Sequence, residues 1–340
     1  MKRILVSGYV GFNNFGDEAI FYCLSSHLKS LGYDVKVICN NEKETEEKYK
    51  VKTCYYKNFF EIIRNILKCD ILISGGGSLL QNKTSNFSLY YYLFILLSAK
   101  LFFKKTIVFA QGIEPVRGKF NKIITSFILK TVDFITVRDE NSLNLLKKYN
   151  IKASLVSDPV YSLIDETEIS KDKSGVIIQL RKFEGIDEKF LKALADAVAK
   201  NCKNQKISVF SFQDTYDKDI CLKFIDCLKE FGINADFIPE QNILDTVKII
   251  NNAKYVISTR LHGIIISQAL KCNVFAIIYD DKIKTITDEL ALQNTDITSY
   301  TKEELNNKMN GFFNLQKDIK PYRKFRWDIT DKKLEEFSKK

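Results

Sequence analysis

Histidine is almost missing from this chain of 340 residues; the two present are His27 and His262. The eight cysteines, Cys23, Cys39, Cys54, Cys69, Cys202, Cys221, Cys227 and Cys272, are scattered, and no two have C-x-x-C spacing. So few histidines and no paired cysteines exclude a zinc constellation, and no carboxylate cluster reads as a metal site. The cysteines are expected to be reduced and to serve as small apolar residues. The loop after the first strand is not G-x-G-x-x-G, and the second strand ends in Cys39-Asn40-Asn41 without an acid for a ribose, which disfavours a nicotinamide cofactor. No glycine-rich loop carries the Lys-Ser/Thr of a P-loop, so an ATPase reading fails. Long apolar runs are also lacking. Phe87–Phe103 has 17 residues and is interrupted by Lys100, whereas a membrane span needs about 20 predominantly apolar residues. Met1-Lys2-Arg3 leads directly into a strand-like run, with no pattern of a secretory leader.

What the chain does have is positive charge, unevenly placed. Residues 1–160 hold 23 Lys/Arg against 14 Asp/Glu, while residues 161–340 hold 29 against 28. Within 82–130 there are eight basic residues and a single acid, Glu114, among many aromatics. Such a patch suggests nucleic acid, an anionic membrane surface or an anionic substrate. The aromatics lie in an apolar run that a core helix explains better than base stacking, so nucleic acid is not expected as a partner.

Apolar runs of strand length alternate with helix-period segments throughout, which predicts α/β architecture with parallel sheets and crossover helices. Strands are expected at Arg3–Tyr9, Val35–Asn40, Asp70–Ser74, Thr106–Gln111 and Phe134–Val137. Helices are expected at Asp17–Leu31, Phe59–Lys68, Leu89–Phe103, Lys119–Thr131 and Asp139–Tyr149. The polar stretch Pro159–Ser174 reads as a crossover between domains. A second set follows, with strands at Val176–Leu180, Ile207–Phe212, Ala235–Ile238, Tyr255–Thr259 and Val274–Tyr279. Its helices are expected at Glu188–Asn201, Asp219–Phe231, Ile243–Asn252 and Ile264–Leu270. The expected organisation is therefore two Rossmann-like domains, 1–160 and 161–300, facing a central cleft, with a charged tail over 301–340 that packs back on the first. Ligands bind such folds outside the carboxyl ends of the strands, so the loops after strands carry the candidates.

In the first half, Gly8–Glu18 follows the first strand and offers Asn14 and Asp17; Asp17 could equally be a helix cap. Ser74–Gln81 follows with three consecutive glycines, where Gly76 and Gly77 would let backbone approach a substrate and Gln81 supplies an amide. Arg138 leaves a strand at a helix start, either as an anion ligand or as the ion-pair partner of Asp139 or Glu140. In the second half, Arg181 ends the first strand, at the cleft or at the domain seam. The run Lys254–Thr259 then empties into Arg260-Leu261-His262-Gly263 at the start of a helix. A helix N-terminus favours anions, Arg260 adds a permanently charged fork, and His262 can move a proton near neutral pH. Lys282 follows one strand–helix–strand unit later. His27 lies within the first helix and reads as a surface residue.

These residues together resemble the polysaccharide pyruvyltransferases. The matching positions are Gly8-Tyr9 with Asn14–Glu18, Gly75–Gln81, Gln111-Gly112-Ile113, Val137-Arg138-Asp139 with Ser142, Asp158-Pro159, Ser258 with Arg260-Leu261-His262, and Tyr279-Asp280 with Lys282. They are correctly ordered over residues 4–283. Glu114 and Asp281 depart from the family pattern, and Glu114 is a candidate for altering acceptor choice.

The resemblance implies a GT-B-like fold with the donor on the second domain and the acceptor on the first. It implies phosphoenolpyruvate as co-substrate, no cofactor or metal, and a sugar of a cell-envelope polysaccharide or its lipid-linked precursor as acceptor. The product is a pyruvate ketal, and phosphate is released. Arg138, Arg260, Lys282 and Arg181 would hold the donor and His262 would be the general acid. Apart from the resemblance, the lack of a leader pattern makes a cytoplasmic location the expectation, and the basic, aromatic-rich stretch 82–130 makes the first half expected to rest on the inner face of the membrane. The competing readings are a nucleotide-sugar glycosyltransferase of the same fold and a non-catalytic polysaccharide- or nucleic-acid-binding module.

Overall fold

The alternation read from the sequence is realised as two separate parallel sheets in the computed structural model, which describes residues 1–83, 85–165, 167–202, 204–314 and 323–339. One unit comprises Met1–Leu163 together with Arg323–Lys340, and the other Ile164–Tyr322.

The first unit begins β1 (Arg3–Val10), α1 (Phe15–Ser30), β2 (Asp34–Cys39), α2 (Glu42–Tyr49), β3 (Lys52–Tyr55), α3 (Phe59–Lys68) and β4 (Ile71–Ser74). It continues with α4 (Asn86–Leu101), β5 (Lys105–Gln111), α5 (Lys119–Thr131), β6 (Phe134–Val137), α6 (Glu140–Lys148) and β7 (Ser154–Leu155). A 3-10 turn, Pro159–Tyr161, and the short α7 (Ser162–Asp165) follow. The sheet order is β3-β2-β1-β4-β5-β6-β7, all parallel. Its central strands are apolar on both faces because helices cover both. Ile62, Ile66, Leu93, Leu96, Ile128 and Leu146 of α3–α6 share one core with Leu5, Leu72, Val108 and Ile135 of the sheet. Right-handed crossovers running in one direction along a sheet put their helices on the same face, which is why α3 to α6 lie together.

The second unit contains β8 (Ser174–Gln179), α8 (Glu188–Asn201), β9 (Ile207–Phe210), α9 (Asp214–Glu230), β10 (Ala235–Ile238) and α10 (Ile243–Asn251). Next come β11 (Ala253–Ser258), α11 (Leu261–Ala269), β12 (Asn273–Ile278), α12 (Asp281–Leu290), β13 (Gln293–Asp296) and α13 (Lys302–Asn314). Its parallel order is β10-β9-β8-β11-β12-β13.

The stretch read as one C-terminal tail is divided. Helix α13 packs on α8 in the second unit, while α14 (Trp327–Lys339) belongs to the first. Residues 315–322 and 340 of that stretch lie outside the described residues. Trp327 stacks on His27 with ring centroids 3.7 Å apart, and His27 Nε2 lies 2.7 Å from Asp331. His27, read as a surface residue, is therefore a structural link between α1 and α14. The Pro159–Ser174 stretch also begins more ordered than a linker, because the Asp158 side chain accepts from Val160 N and caps the 3-10 turn.

Candidate active site

Each sheet changes winding direction once: between β1 and β4 in the first unit, and between β8 and β11 in the second. The carboxyl ends of the strands at such a switch point diverge into a crevice, the usual ligand position in open α/β sheets. The motif-bearing loops leave the strands there in both units.

In the second unit the turn after β11 is held from below by Gln179, the last residue of β8. Gln179 Oε1 accepts from Ser258 Oγ (2.9 Å) and from Arg260 N (3.0 Å), and Thr259 N donates to Gln179 O at 3.0 Å. Arg181 N donates to Thr259 Oγ1 at 2.7 Å, joining the two strand ends again. Gly263 is required at the first turn of α11, since a Cβ there would lie 2.5 Å from Ser258 Oγ. The helix N-terminus is thereby pressed onto the strand end with no side-chain cap from Arg260. His262 is the second residue of α11 and half-buried. Lys282 is the second residue of α12, capped by Asp280 through Ile283 N at 2.9 Å, and is also half-buried. Because β11 and β12 pair directly and α11 packs on α12, an imidazole and an ammonium sit at neighbouring helix N-termini. Both termini favour anions through their dipoles.

Arg260 is less available than its motif suggests. Its Nε and Nη2 both donate to Asp217 Oδ2, at 3.0 and 2.6 Å, and Nη2 also reaches Gln213 Oε1 at 3.4 Å. Asp217 is fully buried. Burial raises its carboxyl above the ordinary range, and the Arg260 guanidinium offsets part of that rise. Nη1 takes part in none of these bonds. Asp217, Gln213 and Gln179 carry no motif that marks them in the sequence. Arg181 itself is exposed, donating from Nη1 to Tyr279 Oη at 3.0 Å. Burial raises the Tyr279 phenol, with Arg181 lowering it in part.

In the first unit, Asn14 caps α1, its side chain accepting from Gly16 N and Asp17 N. Asn14, not Asp17, thus does the capping. The neighbouring Glu18 is buried and accepts from Gly11 N at 2.7 Å and from Tyr49 Oη, so it fixes the loop by tying it to α2. The triple glycine is set by packing. A Cβ at Gly76 would meet Ile20 at 2.6 Å, and Gly77, at φ +93°, would meet Asp17 Oδ1 at 2.5 Å. These glycines let the β4 loop lie against α1. Asp17 and Gln81 are half-buried at this edge. Glu114 pairs with Lys83 at 2.6 Å.

Arg138 is enclosed by carboxylates. Nη1 donates to Asp158 Oδ2 at 3.3 Å, Nε lies 3.7 Å from Asp139 Oδ2, and Nη2 reaches Ser78 Oγ at 3.4 Å. Asp139, one of its expected ion-pair partners, is thus joined by Asp158 from 20 residues further on. Among the described residues no group of three or more His, Cys, Asp or Glu is arranged to hold a metal. All eight cysteines are free and buried, and burial pushes Cys23, for example, up to about 12.

The fold is that of the GT-B sugar enzymes. A UDP-GlcNAc 2-epimerase from Methanocaldococcus jannaschii superposes with a TM-score of 0.66 at 14% identity, covering 98% of this chain and 100% of that one. MurG from Acinetobacter baumannii gives 0.55 at 13% identity (92% and 91% covered), and a glycosyltransferase from Rickettsia africae gives 0.58 at 16% (92% and 88%). No match is found among curated proteins. The polysaccharide pyruvyl transferase family model matches residues 14–281, and the chain belongs to that family.

Proposed function

We propose that the protein transfers the pyruvyl group of phosphoenolpyruvate to a sugar of a cell-envelope polysaccharide or its lipid-linked precursor, forming a cyclic ketal. Family membership supports pyruvyl transfer to a polysaccharide. The observation that carries the choice of donor is the pair of adjacent helix N-termini bearing His262 and Lys282. A carboxylate and a phosphate on one small molecule need two neighbouring anion sites, and the enol ether needs a proton source beside them.

In this reading Lys282, the α11 and α12 termini and the remaining Nη1 of Arg260 hold the donor, with Arg181 at the rim. His262 as imidazolium gives its proton to C3, and positive charge develops at C2, where a sugar hydroxyl adds. The C2–O bond to phosphate then breaks, a second hydroxyl closes the ketal, and the hydroxyl protons leave to His262 and to phosphate. Asp217 keeps Arg260 in place. Arg138, satisfied by Asp158 and Asp139, is reassigned from donor binding to holding the first unit's loops together. Asp17 and Gln81 are the acceptor contacts, positioned by Asn14, Gly76 and Gly77. The scheme uses no cofactor.

The test measures inorganic phosphate released from phosphoenolpyruvate with envelope glycan as acceptor, against nucleotide diphosphate released from sugar nucleotides. Acceptor-dependent phosphate release supports the reading, and nucleotide release would replace it with glycosyl transfer.

A further inference from the structure

Helices α3, α4 and α5 lie side by side on one face of the first unit's sheet. Each buries an apolar stripe inward, and each also carries a second one outward. On α5 the inward residues include Ile128 and Leu129, while Phe120, Ile123 and Phe127 are 67%, 69% and 63% exposed. The outward three are spaced i, i+3, i+7, the spacing of a helix face that meets a partner. Phe87, Phe94 and Leu101, spaced i, i+7, i+14, likewise share an outward face of α4, with Phe103 after its end 93% exposed, and Phe60 stands 92% exposed on α3. Scattered exposed apolar residues are ordinary, but large aromatics concentrated on three adjacent helices are not.

The charge around this face is one-sided. Between residues 57 and 130 there are eleven basic residues and three acids, and α4 and α5 contain no acid at all. Lys119, Lys122 and Lys130 are exposed on α5, and Arg64 and Lys68 on α3. Of the acids, Glu114 is paired with Lys83, Glu61 lies 3.6 Å from Lys36, and Asp70 lies 3.8 Å from Arg3. Among the described residues no helix is long and apolar enough to cross a membrane.

We propose that the outward face of α3, α4 and α5 docks on the surface of an anionic lipid bilayer. The exposed aromatics enter the headgroup and acyl boundary, and the ring of Lys and Arg meets lipid phosphates. A second copy of this chain fits less well, because two such faces would bring like charges together. The inference goes beyond the reaction proposed above and does not depend on it.

Full-length protein is sedimented with vesicles of phosphatidylglycerol and phosphatidylcholine, and with vesicles of phosphatidylcholine alone, at low and high salt. Binding is expected to the anionic vesicles and to weaken with salt. Reversing Lys119 and Lys122 to Glu should lower binding by about tenfold or more, at about 1 kcal/mol per basic residue. The variant F120S/I123S/F127S should also lose binding while its thermal midpoint stays within a few degrees, since all three side chains are exposed. Indifference to anionic vesicles at low salt would overturn the proposal, as would unchanged binding by the serine variant. Self-association in solution that the serine variant abolishes, without vesicle binding, would assign the face to a second copy instead.

Discussion

Arg260 shows how a motif residue can be correctly located and incompletely understood. Its position on a strand-end turn follows from the apolar run before it. Its commitment to Asp217 does not, because the partner lies 43 residues away on α9 in a segment without any motif. A buried guanidinium deprived of its carboxylate costs about 3–5 kcal/mol. Asp217→Asn should therefore lower unfolding free energy by about that amount in urea titration, and should weaken phosphoenolpyruvate binding by displacing Arg260. A stable Asp217→Asn protein with unchanged affinity would show that the pair holds nothing in place. His262→Ala should lower turnover by about 10²–10⁴, the range for a lost general acid, in protein that still unfolds cooperatively in urea titration. His262→Gln separates hydrogen bonding from proton transfer, and near-full turnover in that variant would reduce His262 to a binding residue.

At the scale of elements, what could be read was whatever carried apolar periodicity. Strands such as β1, β4 and β11 stand out because both faces are buried. Helix α2, Glu-Lys-Glu-Thr-Glu-Glu-Lys-Tyr, has no apolar stripe to find; it is held by the Asn41 cap and by buried Tyr49 reaching Glu18. The short β3 was missed with it, and so were β7, α12 and β13 at or near the sheet edges. The doubled stripes of α3–α5 were legible only as hydrophobicity, since the sequence does not say which of two apolar faces meets the core.

Asp133 joins elements in a way that pH can report. Burial would raise its carboxyl, but the bonds from Lys100 Nζ (2.8 Å) and from Thr106 N and Oγ1 outweigh this and hold it below the ordinary value. A carboxyl depressed on folding contributes stability at pH values above its unfolded pKa of about 4, and that contribution is lost as pH falls through the folded value. Urea midpoints measured from about pH 5 down to about pH 2 should fall less steeply for Asp133→Asn than for the natural protein. Equal slopes would mean the carboxylate contributes no pH-dependent stability.

On the scale of the whole molecule, the two-unit organisation was legible because strand and helix alternate twice. The return of the last helix to the first unit was expected only as part of a longer tail. Phe325 and Trp327 pack against Phe109, Asp331 meets His27, and Lys2 Nζ donates to Phe337 O at 2.7 Å. Deleting residues 323–340 should therefore unmask buried Phe109 and lower the thermal midpoint of the first unit by several degrees or more. The second unit's melting should change little, and a calorimetric trace with two transitions would show the difference.

The same helix has a consequence during synthesis. Sheet strands β1 to β7 leave the ribosome early, but the residues that close one side of their core are made only after the second unit. At about 5–20 residues per second, roughly 10–30 s separate the first unit's main segment from its final helix. Through that interval the second unit, which is continuous in sequence, can complete itself, while Phe109 and its neighbours wait uncovered. The nascent chain thus offers holding chaperones a defined apolar target in its N-terminal half, and the order in which the two halves mature is the reverse of the order in which they are born.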